Sequence, residues 1–128
     1  MKQVVLAGIV LMALGVMIGA FGAHALKPHL MSDPALWAAF HTGVEYHFYH
    51  ALGLLAIGIT GHQLSLMALR GPAILLFMGV IVFSGSLYLM SVTGMRWLGM
   101  VTPLGGTAFI TGWVWAGWVV WRGWGESR

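Results

Sequence analysis

The chain has 128 residues, of which 59% are hydrophobic, with six Lys and Arg, three Asp and Glu and no cysteine. A mean hydropathy of +0.89 leaves too little polar surface for a water-soluble domain and places the chain in a membrane. The net charge of +3 comes from basic residues scattered singly, so no patch or stripe is available to hold a nucleic acid, and without cysteine there is no disulfide, thiolate metal site or CxxCH haem attachment.

Laying out segments of about 20 residues, the length that crosses the hydrocarbon layer, yields four apolar stretches in chain order. The first runs from Gln3 to Ala23. Lys2, this run and Ala23-His24-Ala25 also resemble a signal peptide, but the run exceeds the usual hydrophobic region of roughly 7 to 15 residues, so a retained span is expected. Gly15 and Gly19 form a small-xxx-small face for close helix contact, within the chain or between copies.

The second helix is expected from Pro34 to Thr60, with Asp33 as its cap and Pro34 at its first position. Its early turns carry FHTGVEYHFYH, residues 40–50. Glu45 is the one acid within any of the four stretches, and a titratable group there is costly unless it meets a partner or water. Residues three or four apart share a face. His41, Glu45, Phe48 and Tyr49 make one stripe and His47 and His50 another, so the helix start is polar nearly all round.

The third helix is expected over Pro72 to Val92, after Gly71-Pro72, with Ser84, Tyr88 and Ser91 aligned on one face. The fourth is expected over Leu98 to Val120. Its Thr102-Pro103-Leu104-Gly105-Gly106-Thr107 predicts a local kink, since Pro removes a backbone donor. Its Trp residues at 113, 115, 118, 121 and 124 read as an interfacial aromatic belt. The expected fold is therefore all-α, a single domain over residues 1–128 forming an integral membrane bundle of four transmembrane helices.

Four spans put both termini on one side with Lys2, Arg70, Arg122 and Arg128, against Lys27 and Arg96 on the other, which favours cytoplasmic termini. By depth, Glu45, His47, His50, Ser84, Ser86, Tyr88, Thr102 and Thr107 then fall in the outer half, with His24 at the outer end of the first helix. A polar pocket opening outward over an apolar floor is expected.

Several chemistries fit such a cluster. His41 with Glu45, or His47 with His50, has metal-compatible spacing, although no HExxH pattern is present. A haem b between His24 and His50, or between His47 and another helix, is geometrically conceivable, and Ser84 beside His50 has the elements of a serine nucleophile and its base. Hydrogen bonding between packed helices explains the same residues without a ligand. The cofactor, if any, is left open.

Four motifs, GAFGAHALK at 19–27, VEYHFYHAL at 44–52, FSGSLY at 83–88 and TPLGG at 102–106, occur in order along the chain. Together they resemble the YgdD-like and YwdK-like family of small bacterial membrane proteins. The resemblance implies a four-helix protein of the bacterial inner membrane and supplies no catalytic residue. It points to Gly22, His24, Glu45, Tyr46, His50, Ser84, Ser86, Tyr88, Thr102, Pro103, Gly105 and Gly106. The family pattern has Gln after Tyr46, where this chain has His47, so the resemblance extends no role to that position.

The expected function is that of a non-enzymatic accessory or scaffold protein in the lipid bilayer, able to form a homo-oligomer or to join a partner membrane protein. The alternative is binding of a small molecule, lipid, quinone, metal or haem, or a proton relay, at His24, Glu45, Tyr46, His50, Ser84, Ser86, Tyr88 and Thr102. The metal candidates are His41, Glu45, His47 and His50.

Overall fold

The computed structural model describes residues 1–126, all of whose regular structure is helical. Arg128, counted above among the basic residues of the terminal side, lies outside the described residues, as does the Trp124 side chain. The helices are α1 (Lys2–His24), α2 (Lys27–Met31), α3 (Pro34–Gln63), α4 (Arg70–Gly79), α5 (Gly85–Thr93) and α6 (Thr102–Glu126). A π-helical stretch, Val80–Ser84, joins α4 to α5 without a break, so the chain forms four long rods: α1, α3, α4–α5 and α6.

The sequence explains where each rod begins. Asp33 has an extended backbone and accepts a hydrogen bond from the Ala35 amide, with Pro34 opening α3 behind it, as an N-cap and a first-turn proline should. Gly94 ends α5 in the left-handed conformation with φ of 72°, which glycine adopts without a Cβ penalty. A tight 3-10 turn, Arg96–Met100, then uses up the residues expected to open the last rod, and α6 starts at Thr102. Pro103 therefore sits in the first turn of α6, where its missing N–H costs nothing. The kink expected from it is replaced by a helix start.

Glycine sets the packing. Gly8, Gly15 and Gly22 recur every seven residues along one face of α1, and a Cβ on each would press on Leu55, the Phe48 ring and the Phe40 ring of α3. Two turns of helix separate them, so they share one stripe. Gly58 and Gly61 of α3 receive Val5 and Met1 in return. The expected Gly15–Gly19 face is thus half right: Gly15 is packed inside the molecule on α3, while Gly19 has only Val44 nearby, at 3.9 Å from a Cβ placed there.

The same device joins α6 to the third rod. Gly105 lies against the backbone of Phe83, Gly112 against Leu76, and Phe109 of α6 fills the space over Gly79. Between bilayer-soluble helices there is little hydrophobic gain in association, so close approach through small residues is the main source of cohesion. Leu54, Leu69, Leu76 and Val80 form the buried centre, and a second cluster of Leu30, Leu36 and Phe40 closes the end near α2.

Two rods, Lys2–His24 and Met67–Thr93, have the length and apolarity to cross a bilayer, with mean hydropathies of 2.7 and 2.2. Helices α3 and α6 are as long but less apolar. In α3 the cause is four His and Glu45; in α6 it is the Gly, Thr and Trp content.

Candidate functional site

The centre of the polar cluster is His47, only 3% exposed. Its Nε2 lies 2.7 Å from the Leu11 carbonyl of α1 and its Nδ1 lies 3.0 Å from the Tyr88 hydroxyl of α5. A carbonyl only accepts, so Nε2–H donates to Leu11, and in the neutral ring Nδ1 accepts from Tyr88. The Tyr88 hydroxyl also lies 3.2 Å from the Gly43 carbonyl, and its single proton serves one acceptor at a time. One imidazole thus ties α1, α3 and α5 together. It had no role extended to it by family resemblance, and a mid-helix carbonyl as partner leaves no mark in a sequence.

His50 is buried one turn along. Its Nδ1–H donates to its own helix at the Tyr46 carbonyl, 2.7 Å away, and its ring lies flat on Phe109 of α6 at 3.4 Å between centroids and 11° between planes. Its Nε2 makes no hydrogen bond among the described residues. Tyr46, partly exposed, stacks on Phe83 at 4.6 Å. Tyr46, His50, Phe83 and Phe109 so form one aromatic stack across α3, the π-helical stretch and α6.

Ser86 donates to the Phe83 carbonyl or to Thr102 Oγ1, at 2.9 and 2.8 Å, tying α5 to the start of α6. Ser91 donates to Leu87 in its own helix, with Leu36 of α3 at 3.3 Å. Thr93 and Thr107 likewise bond the carbonyl four residues back. Ser84 breaks this pattern: it is fully buried at the end of the π-helical stretch, and its Oγ is without a hydrogen-bond partner among the described residues. Such stretches are frequent at functional sites in helices.

Glu45 does not join the cluster. The inward face of α3 is Gly43, His47, His50, Ala51 and Leu54, and Glu45 lies on the opposite, exposed face with His41, Tyr49 and Leu52. The packing of Gly43 on Tyr88 and of Phe48 on Gly15 fixes this rotation. His24 is exposed at the end of α1. The four metal candidates are therefore divided, His41 and Glu45 outward and His47 and His50 inward, and no group of three His, Asp or Glu side chains converges among the described residues.

A second polar contact region escaped the sequence reading. His29 of α2 reaches the Ser91 carbonyl at 3.0 Å, and Arg96 meets Asp33 at 2.6 Å. The first clasps α2 to the end of α5, and the second ties the turn after α5 to the start of α3. The expected outward-opening polar pocket is absent from the four surface grooves described, which are mainly apolar and include none of His47, His50, Ser84, Ser86 or Tyr88 in their walls.

Comparison with known proteins accounts for the motifs. Residues 18–106 match the family described as Protein of unknown function (DUF423). The chain belongs to this family. It is 44% identical over 115 residues to the UPF0382 membrane protein YwdK of Bacillus subtilis, covering 89% of this chain and 92% of that one. A UPF0382 membrane protein of Staphylococcus epidermidis is 40% identical over 114 residues, covering 89% and 91%. The UPF0382 inner membrane protein YgdD of Escherichia coli is 34% identical over 98 residues, covering 77% and 73%. No solved structure matches. Composition and family together make the chain an integral membrane protein.

Proposed function

We propose that the chain is a non-enzymatic accessory or scaffold protein of the bacterial inner membrane, crossing it four times with both termini in the cytoplasm. Each rod has 23 or more residues, at least about 34 Å at 1.5 Å per residue, enough for a hydrocarbon layer of about 30 Å. Apolar side chains such as Val16, Ile74, Ile81, Leu89, Leu104 and Val114 face outward along them. Lys2, Arg70 and Arg122 stand at the ends that share the terminal side, against Lys27 and Arg96 opposite, in keeping with cytoplasmic termini.

The observation that carries the scaffold reading is how His47 uses its two nitrogens: both are spent inside the protein, on Leu11 and Tyr88. Polar groups so occupied fix which helix faces which and leave nothing to hold a ligand. One observation favours the alternative of a bound small molecule, lipid or quinone, namely the Ser84 hydroxyl, which like His50 Nε2 has no hydrogen-bond partner among the described residues. Native mass spectrometry of the protein released from mild detergent separates the two. The scaffold reading expects the bare polypeptide mass or a multiple of it. A defined extra mass that disappears in Ser84→Ala or His50→Ala overturns it in favour of a binding protein.

A further inference from the structure

The outward face of α3 poses a physical problem that the rest of the molecule solves elsewhere. Glu45 is exposed and makes no hydrogen bond or ion pair among the described residues. The contacts of Val5 with Gly58, Gly15 with Phe48 and Gly22 with Phe40 put Glu45 level with Met17 and Ile18. That is about 10 Å along the axis from the end of α1 at 1.5 Å per residue. If α1 and α3 cross the bilayer, the carboxyl faces hydrocarbon, where a titratable side chain requires a partner or water.

Its neighbours on the same helix do not serve it. His41 packs its ring edge-on against Trp37 at 4.3 Å, and Tyr49 packs against Tyr46 at 6.0 Å. The exposed faces of α1 and of the α4–α5 rod carry only apolar side chains through their middle turns. On α6 the exposed Thr107 hydroxyl is bonded to Pro103, and the exposed Thr111 stands about nine residues, roughly 13 Å, from the level of Glu45. The exposed stripe of α3 itself carries both an acceptor, Glu45, and donors one turn to either side, His41 and Tyr49.

We propose that this stripe, His41, Glu45, Tyr49 and Leu52, is the face through which two copies of the chain pair in the membrane, each Glu45 being met by donors of the other copy. The inference rests on the spanning reading given above. A twofold axis along the membrane normal holds equal residues at equal depth, so such an interface is self-complementary. The donors of the second copy then stand one turn, about 5.4 Å, above and below each carboxyl, a span that Glu with His or Tyr bridges. Polar pairs of this kind stabilise contacts between membrane helices, whereas a second copy docked on an apolar face leaves Glu45 in lipid.

The chain has no cysteine, so single-cysteine variants of the full chain in liposomes read the contact directly. Leu52→Cys is expected to form a disulfide-linked dimer on oxidation, and Ile74→Cys and Ile110→Cys, on the other lipid-facing surfaces, are not, since the bond needs Cα atoms within about 7 Å. Energy transfer between labelled copies is expected to show pairing in the natural sequence, weakened at least tenfold in both Glu45→Leu and Tyr49→Phe.

A monomeric natural protein, cross-linking confined to Ile74→Cys or Ile110→Cys, or pairing unchanged in both Glu45→Leu and Tyr49→Phe overturns the inference. Labelling of Ser32→Cys and Gln63→Cys by a membrane-impermeant thiol reagent tests the underlying topology. Labelling from opposite sides without pairing rejects the dimer alone, and labelling of both from one side rejects the spanning of α3.

Discussion

The two faces of α3 handle polarity in opposite ways. On the inward face, His47 is enclosed and bonded to Leu11 and Tyr88, flanked by Gly43, Ala51 and Leu54, which fit the neighbouring helices. On the outward face, Glu45 has no hydrogen bond among the described residues and stands between His41 and Tyr49. A polar residue whose partner lies within the chain organises the fold. One whose partner is missing points beyond it. The difference between an enclosed, bonded polar residue and an exposed one in this helix is thus one of rotation, since Glu45 and His47 are two residues apart.

Substitutions on the two faces should differ in sign. Glu45→Leu is expected to improve insertion of the lone chain by about 2 to 3 kcal/mol, the range for removing a charged group from a span, while weakening pairing. Measured at high lipid dilution, where copies do not meet, a loss of stability in this variant breaks the comparison. Leu54→Ala, on the inward face at 1% exposure, is expected to cost about 2 kcal/mol. Only the cavity part of a Leu→Ala loss applies, because lipid receives the leucine as readily as the protein does.

His47→Leu is expected to cost about 1 kcal/mol, the scale of a hydrogen bond between membrane helices, read by steric-trap or denaturant unfolding in mild detergent. His47→Gln sharpens the point, since an amide both donates to Leu11 and accepts from Tyr88. It should restore most of the loss, and a Gln variant as weak as the Leu variant shows that the ring's packing, not its bonds, holds the three helices. The smallest effect belongs to Leu52→Ala, 52% exposed, expected to change the stability of the single chain by less than about 0.5 kcal/mol, as for surface positions generally.

The sequence makes the rods legible because long apolar runs admit few alternatives, and Asp33-Pro34 announces the start of α3 by local chemistry. It does not make the rotation of α3 legible, because residues 40–50 are polar on nearly every side and periodicity gives no inward direction. The spacing of Gly8, Gly15 and Gly22 was present in the sequence, but each contact depends on a large residue of α3 that only packing supplies. Pro103 suggested a kink because the 3-10 turn that precedes it, Arg96–Met100, has no strong local signature. The cluster residues Ser86, Tyr88 and Thr102 do take part in bonds between helices, whereas His24 and Glu45 have exposure in common and no hydrogen-bond partner among the described residues.

The π-helical stretch has a consequence for how the third rod tolerates change. The portion before it, α4, packs mainly on α6, and the portion after it, α5, packs on α3. A wide turn of this kind amounts to one additional residue in an α-helix, so it acts as a gear between two segments that mesh with different neighbours. Deleting one residue within 80–84 would remove that addition and leave an ordinary α-helix, with Ser86, Tyr88 and Ser91 still turned toward Thr102, His47 and Leu36. A deletion within the regular turns of α4 or α5, which have no residue to spare, would rotate one part of the rod against the other by about 100°. The wide turn is therefore the place in this rod where a residue can be lost at least cost.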